Sequence, residues 1–351
     1  MKLIPYAARP KKGRWIPYVS PILVVLAAGA VLAGGIVLSL PSILEVSIRQ
    51  QEAHSPSIPE QFPVTVNPRS KSIVENAQVN ALFENPDSPL RAEAAAGGAA
   101  DIFEHLFQAV AIAISDTPWY QSIAAADTRF VTITPGLRKE QVAASFGKAL
   151  GWTAAGRSEF MTARKYSNLP LPEGSFAPGI YLVDAAATPS MAQALVNEKF
   201  NKDIVSRYGT TTAEIVPLDQ ALTIASLIER ETGGLDDMRL ISGIIWNRLF
   251  TGMNLQIDAT LQYAKAKTAN SWWPTVVPKD KYIKSPYNTY ANRGLPPTPI
   301  ASPSVAAVLA ALNPVNTPCL FYFHDKYGDF HCSATYAEHV ALLKKYYGQG
   351  K

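Results

Sequence analysis

Leu218-Asp219-Gln220-Ala221-Leu222-Thr223-Ile224-Ala225-Ser226-Leu227-Ile228-Glu229-Arg230-Glu231 is the most apolar helical pattern beyond the N-terminal segment of this chain, and it ends in two acids. Ile224, Leu227 and Ile228 share one face at helical spacing. Glu231 follows Leu227 by four residues and Ile228 by three, so it continues that apolar face. Glu229 follows Ala225 by four and Ser226 by three, on a more mixed face. Desolvation on a buried helix face raises a carboxyl pKa. A carboxyl group that stays protonated near neutral pH suits general-acid chemistry. A Glu-Arg-Glu run at a helix end also reads as a solvated charged surface. The rest of the chain has to separate these two readings.

The chain has 351 residues, enough for about two domains. Its hydrophobic share of 48% is that of an ordinary globular protein. Net charge is +4, and five of the basic residues (Lys2, Arg9, Lys11, Lys12 and Arg14) lie in the first fourteen. The remainder is close to neutral and carries no basic stripe, so nucleic acid is not an expected partner. No charged residue stands between Arg14 and Glu45, and Ile22 to Leu40 is rich in Val, Leu, Ala and Gly. That run is long enough to cross a bilayer as a helix, and the basic flank places the N-terminus in the cytoplasm. The reading is an uncleaved anchor in membrane lipid: residues 1–15 cytoplasmic, 16–44 transmembrane, and the rest outside the cytoplasm. A cleaved signal peptide is the alternative, against which the length of the run counts.

Residues 45–126 read as a stalk and linker with one apolar helix. Pro56, Pro59, Pro63 and Pro68 suggest an extended stalk, and Ala94 to Gly98 a loose connection. Ile102, Phe103, Leu106, Val110 and Ile114 follow at helical spacing. A small α/β unit over residues 127–170 comes next. It has a strand at Phe130–Thr134, a helix at Lys139–Leu150 with Gly151 at its end, and a second helix around Ser158–Lys165. A later strand near Ile180–Val183 closes the unit. It holds no catalytic cluster, and a structural or carbohydrate-binding role suits it better.

The larger unit over 171–347 is a succession of helices with a terminal hairpin. Helices are expected at Pro189–Val205 with Thr188 as cap, at 218–231, at Asp237–Leu249 and at Ala259–Lys265. Leu255–Asp258 alternates like a short strand, placing Gln256 and Asp258 on one side. Residues 268–300 form a long loop whose Trp, Tyr and Asn side chains suit sugar rings and acetamido groups, or else build a rigid Pro-rich wall. Ser302 and Pro303 open a helix to Leu312. Cys319–His324 and Asp329–Ala334 pair around Lys326-Tyr327-Gly328, and Thr335-Tyr336-Ala337-Glu338 is a capping box. Cys319 and Cys332 are either bridged or two buried thiols.

There is no Gly-rich phosphate loop and no Gly-x-Ser-x-Gly elbow. His324, His331, Cys332 and His339 lack a familiar zinc spacing, so no metal or cofactor is expected. A hydrolytic glycosidase needs two facing carboxyl groups. A lytic transglycosylase needs one, which acts as acid and then as base while the sugar's own 6-hydroxyl closes on C1.

Several segments carry a resemblance. They are Ala225–Thr232, Trp246-Asn247-Arg248-Leu249, Gly252-Met253, Leu255–Thr260 with Tyr263, Ser285–Tyr290, Gly294–Pro297, Pro299-Ile300, Asn313-Pro314, and His331, Ser333, Thr335-Tyr336 and His339. Together they resemble the endolytic murein transglycosylases (MltG/YceG-like) from about Asp127 to the C-terminus. The resemblance implies an α+β protein with an N-terminal transmembrane helix, a small LysM-like subdomain and a larger α+β catalytic domain. It implies a single-pass protein of the inner (cytoplasmic) membrane whose catalytic domain lies in the periplasm. Its substrate would be peptidoglycan glycan strands, with peptidoglycan synthases as partners. It would cut the β-1,4 bond from N-acetylmuramic acid to N-acetylglucosamine and leave a 1,6-anhydro end. The catalytic acid would be Glu231 or, as second choice, Glu229; helical phase and the Glu231-Thr232 pair favour Glu231. Asn247, Gln256, Asp258, Tyr287, Asn288 and Tyr290 match positions expected to line the cleft. Departures are the long segment 50–126 and Trp246, where Tyr or Phe is more usual. Two other functions remain open: a hydrolytic muramidase with Asp258 as second carboxylate, and a non-catalytic peptidoglycan-binding anchor.

Overall fold

A helix apolar on every side can only be buried, and Val-Ala-Ala-Val-Leu-Ala-Ala-Leu at 305–312 is such a helix, with all eight residues buried. The computed structural model, which describes residues 60–85, 88, 90–91, 128–162, 172–266 and 271–348, places it at the centre of the larger core. In chain order the elements are β1 (Val66–Asn67), β2 (Ser72–Ile73), α1 (Ala77–Glu84), β3 (Thr128–Ile133), α2 (Lys139–Leu150), α3 (Ala154–Met161), β4 (Gly179–Asp184), α4 (Pro189–Asp203) and α5 (Thr210–Ile215). They continue with α6 (Leu218–Glu231), α7 (Leu235–Thr251), α8 (Asp258–Lys265), α9 (Val305–Leu312), β5 (Phe321–His324), β6 (Phe330–Ser333) and α10 (Tyr336–Tyr347). The described strands pair only as three separate antiparallel ribbons, β1–β2, β3–β4 and β5–β6. The mixture of helix and strand is α+β.

Helices α6, α7 and α9 make the larger core. Eight consecutive residues of α6, Ala221 to Ile228, are buried, because α7 and α9 both pack on it. Ile241 and Ile245 of α7 and Leu309 of α9 lie in the same cluster. Ser304 caps α9, its side chain accepting from Ala307 N–H. The sequence pointed to Ser302 as cap with Pro303 in the helix, but that run is still in the approach to α9. The expected strand at 255–258 is a loop: Gln256 adopts φ 53°, which interrupts an extended chain, and Asp258 already opens α8. The burial alternation survives, with Leu255 and Ile257 inward and Gln256 and Asp258 outward.

The smaller core belongs to β3, α2, α3, β4 and α4. β3 and β4 pair in register from Thr128 opposite Asp184 to Ile133 opposite Gly179. Phe146, Phe160, Phe176 and Tyr181 fill the space between the ribbon and the helices, and Ala192 and Val196 of α4 close it. This unit runs past the expected boundary at 170, since β4 lies beyond it. Helix α3 begins four residues before the expected Ser158, because Thr153 accepts from Gly156 N–H as its cap. The small unit docks on the large one through paired backbone bonds: Gly136 N–H to Ser302 O and Ser302 N–H to Leu137 O, both 2.8 Å.

Residues 60–91 overturn the expectation of a stalk over that stretch. Phe62, Val66, Val79, Phe83 and Leu90 are buried in the same cluster as α6, α7 and α9. Thr65 N–H donates to Leu312 O at 3.0 Å, closing the C-terminal end of α9. Asn313 Nδ2 returns a bond to Pro63 O at 2.8 Å. The prolines here shape an irregular strap rather than a free spacer. The expected membrane helix at 16–44 and the apolar helix after Asp101 lie outside the described residues. Among the described residues no helix is long and apolar enough to cross a membrane.

Cys319 and Cys332 are bridged across the β5–β6 hairpin, with Cα atoms 5.8 Å apart. Two stability outcomes follow. Phe62, only 2% exposed, should cost about 3–4 kcal/mol on Phe62→Ala, measured by denaturant unfolding. A stalk residue would cost less than about 0.5 kcal/mol. Replacing both cysteines by Ser opens a short closed loop and should lower stability by about 3 kcal/mol.

Candidate active site

The two acids at the end of α6 lie two residues apart, about 200° around the helix, and meet different surroundings. Glu229 turns to the start of α9. Its Oε2 accepts from Ser304 N–H at 2.9 Å and from Ser304 Oγ at 2.7 Å. Burial pushes its pKa up, and those two bonds and Arg230 pull it back. The carboxylate is thereby engaged in joining α6 to α9. Between the two acids, Arg230 lays its guanidinium 4.0 Å from the centre of the Trp273 ring. The Gly136 turn of the small unit closes over Arg230 at φ 79°, and a Cβ there would stand 3.1 Å from Arg230 Nη1.

Glu231 turns the other way, towards β5, α7 and α8. Its Oε2 accepts from Tyr322 Oη at 2.8 Å. The residue keeps a partly open surface, while its carboxyl group is surrounded by protein. Desolvation is the largest influence and pushes its pKa up to about 7, with the Asp258 charge adding to the rise. The Tyr322 hydroxyl, the Ala259 N–H and His324 act in the opposite direction. A carboxyl group that titrates at about 7 is half protonated at neutral pH and can both give and take a proton there.

Asp258 opens α8 on the exposed side of that carboxyl. Its Oδ1 accepts from Tyr290 Oη at 2.6 Å, so the 285–290 loop and α8 meet at this carboxylate. Thr289 fixes the loop behind it. Its carbonyl accepts from Gln256 N–H at 3.1 Å, its Oγ1 accepts from Ile257 N–H at 3.0 Å, and it lies 2.9 Å from Thr260 Oγ1. The Gln256 side chain is exposed beside Asp258. Glu231, Asp258, Tyr290 and Gln256 are therefore brought to one region.

Three other residues expected in the cleft have their polar groups engaged within the protein. Asn247 Nδ2 donates to Thr317 O at 2.6 Å and to Cys319 O at 3.2 Å, holding the lead into β5. Asn288 is fully buried. It donates to Lys281 O and Ile283 O and accepts from Tyr290 N–H at 2.9 Å, which shapes the loop. Tyr287 shares its hydroxyl with Thr298 Oγ1 at 2.8 Å and packs its ring 4.8 Å from that of Tyr263.

Two residues absent from the expected set stand at the site. Tyr322 is the donor to Glu231. Arg248 is buried next to it and donates to Leu320 O at 2.6 Å and to the carbonyls of Asn254 and Leu255. Burial lowers its pKa, and Tyr322, Tyr290 and Glu231 act to raise it. Arg248 lies inside the Trp-Asn-Arg-Leu segment already singled out, and its charge was the available signal. Tyr322 carried no signal, because only the fold brings β5 to α6. A cavity of about 360 Å³ between Asp219, Gln220, Trp246, Leu249 and Leu295–Pro297 contains none of these site residues. Among the described residues no group of three His, Cys, Asp or Glu side chains is placed to hold a metal ion.

The family model of the YceG-like family matches residues 102–345. The endolytic murein transglycosylase of Streptococcus pneumoniae (serotype 2, strain D39) is 33% identical over 157 residues, covering 44% of this chain and 28% of that protein. The endolytic murein transglycosylase of Bacillus subtilis (strain 168) is 39% identical over 131 residues, covering 37% of this chain and 35% of that protein. The chain thus spans about a third of the length of these relatives. A YceG-like protein of Listeria monocytogenes, solved by crystallography, shares the fold with a TM-score of 0.54. Its sequence identity is 23%, over 64% of this chain and 81% of that one. With more than half of its length matched by the family model, this chain belongs to the YceG-like family.

Proposed function

We propose that the chain is an endolytic peptidoglycan lytic transglycosylase with Glu231 as its acid and base. The observation that carries the reading is the enclosed Glu231 carboxyl group, pushed up to about 7, bonded by the Tyr322 hydroxyl and standing beside the charge of the exposed Asp258. The names of the pneumococcal and Bacillus relatives support the same substrate class. In the first step protonated Glu231 gives its proton to the glycosidic oxygen as the bond from C1 of N-acetylmuramic acid breaks. In the second, the Glu231 carboxylate takes the proton of the same sugar's 6-hydroxyl as O6 bonds to C1. No water enters, and the product ends in a 1,6-anhydro ring. Asp258, held by Tyr290, faces the positive charge that develops at C1, and Gln256 is the amide available to an acetamido group. Asn247, Asn288 and Tyr287 act behind the cleft by fixing the backbone that presents these groups.

The exposure of Asp258 favours one second reading, a hydrolase in which Asp258 activates a water. The wider setting belongs to the same proposal. Residues 16–44 anchor the chain in the inner membrane with the folded part in the periplasm, and peptidoglycan synthases are natural partners there. The β3-α2-α3-β4 order supports a LysM-like subdomain that holds glycan near the acid.

Intact masses of products from purified glycan strands separate the two readings, because hydrolysis adds one water per cut and the lytic route adds none. Glu231→Gln should abolish anhydro ends while the fold persists; full activity in that variant overturns the assignment.

The ionisation of Glu231 also enters stability. Its carboxyl titrates at about 7 in the fold against an ordinary 4.5. Between those values the folded state holds a proton that the unfolded chain has released. Stability therefore falls as pH rises through this window and levels off above it. Glu231→Gln should remove that slope and be more stable than the parent at pH 8 by roughly 3 kcal/mol, read from denaturant unfolding across pH.

A further inference from the structure

One carboxylate ties the end of α6 to β5. Asp237 stands in the first turn of α7, 7% exposed. Its Oδ1 accepts from the Thr232 hydroxyl, and its Oδ2 accepts from Gly233 N–H at 2.9 Å. The same Oδ2 lies 2.5 Å from His324 Nε2. Thr232 directly follows Glu231, and His324 stands two residues after Tyr322, the phenol bonded to Glu231. One side chain thus holds the chain beside both partners of the Glu231–Tyr322 contact. Gly233 permits the approach, since a Cβ there would sit 3.1 Å from His324 Nε2 and 3.3 Å from Asp237 Oδ2. The last helix adds a further hold, Tyr347 Oη donating to His324 O at 2.5 Å.

We propose that Asp237 and His324 are positioning residues for the Glu231 acid: Asp237 locks the end of α6 to β5, and His324, held by Asp237, keeps Tyr322 of the same strand against the carboxyl group. The proposal rests on the lytic reading of Glu231. Neither residue needs to touch the glycan, and each acts through Glu231 and Tyr322. The groups that act on Glu231 or feel its charge are Tyr322 and His324 from β5, Asp258 and the Ala259 N–H from α8, Arg248 from α7, Arg230 from α6 and Tyr290 from the loop. Within that set Arg248 is bonded to the carbonyl oxygens of Asn254, Leu255 and Leu320, and Asp258 carries a like charge that raises the acid further. The Tyr322 hydroxyl is the largest influence that offsets desolvation of the acid.

The test uses the full chain with His324→Gln and Asp237→Asn. A general acid must be protonated to act, so kcat/KM on glycan strands should decline as pH rises past about 7. In His324→Gln the loosened Tyr322 bond should let that limb move to higher pH by roughly half to one unit, and the Glu231 carboxyl titration should move with it. The carboxyl titration is read by carbon NMR as the signal lost in Glu231→Gln. Asp237→Asn keeps the shape and should lower kcat about tenfold or more with KM within about twofold, since a misplaced acid loses transition-state contact. Folded variants with an unmoved limb and titration overturn the proposal. So do losses that merely follow a lower Tm, and so does the unfolding of both variants, which would mark the pair as structural. If His324→Gln alone fails to fold, Asp237→Asn carries the limb measurement, because it removes the carboxylate that holds the imidazole. Absence of Glu231-dependent anhydro product from the parent protein overturns the lytic reading instead, while the carboxyl titration still reads the pair.

Discussion

Ionising a carboxyl group at the C-terminal end of a buried helix is opposed twice. Burial removes its hydration, and the helix end presents unpaired carbonyls with partial negative charge. Helix α6 carries two such groups, and the surrounding structure treats them in opposite ways. Glu229 is led to the N-terminal end of α9, where Ser304 offers an N–H and a hydroxyl and the helix dipole favours an anion. Glu231 receives the Tyr322 hydroxyl and the Ala259 N–H, but also faces the Asp258 carboxylate. The first acid is a joint between two helices. The second is left near its point of ionisation, which is where a proton donor that must also act as acceptor is useful.

Holding Glu231 in that balance requires that β5 stay in place, and much of the polar chemistry around the site serves this end. The last turns of α7 grip the lead into β5: Asn247 holds the carbonyls of Thr317 and Cys319, and Arg248 holds that of Leu320. The Cys319–Cys332 bridge closes the hairpin on its other side. Each neutral bond is worth only about 1 kcal/mol net, but leaving a buried carbonyl or guanidinium unpaired costs more. These contacts therefore specify one arrangement more than they add stability. The small unit contributes from the opposite side, where its Gly136 turn packs Arg230 against Trp273, one residue from the acid.

Helix α6 was legible to the residue, because its apolar period and its Thr-Gly-Gly stop agree. Its phase, with the Glu231-Thr232 pair, favoured Glu231 over Glu229. The amides were harder. Asn247 and Asn288 have the side chains a sugar would need, and also those that a loop needs to satisfy its own carbonyls; residue type cannot distinguish the two. Gln256 and Asp258 kept their outward side although no strand is there, since alternation of burial needs an anchored segment rather than a ladder. Residues 60–91 read as a stalk because their apolar residues are sparse and prolines interrupt them. Phe62, Val66, Val79, Phe83 and Leu90 join a cluster made mostly by residues more than a hundred positions away, which local periodicity cannot reveal. Tyr322 and His324 were hidden for the same reason: their meaning lies in contacts with α6 and α7 across about ninety residues of chain.

The strap also bears on why the acid can be kept buried. An ionised, desolvated Glu231 works against folding, and a small core would feel that loss acutely. Phe62, Val66, Val79, Phe83 and Leu90 extend the core behind α6, α7 and α9, and Thr65 with Asn313 closes the end of α9. A buried large side chain contributes about 1.5–3 kcal/mol relative to an exposed one. Two of these are enough to offset an acid displaced by the two to three pKa units between 4.5 and about 7. The strap thereby lets the end of α6 hold a carboxyl group in surroundings chosen for proton transfer rather than for stability.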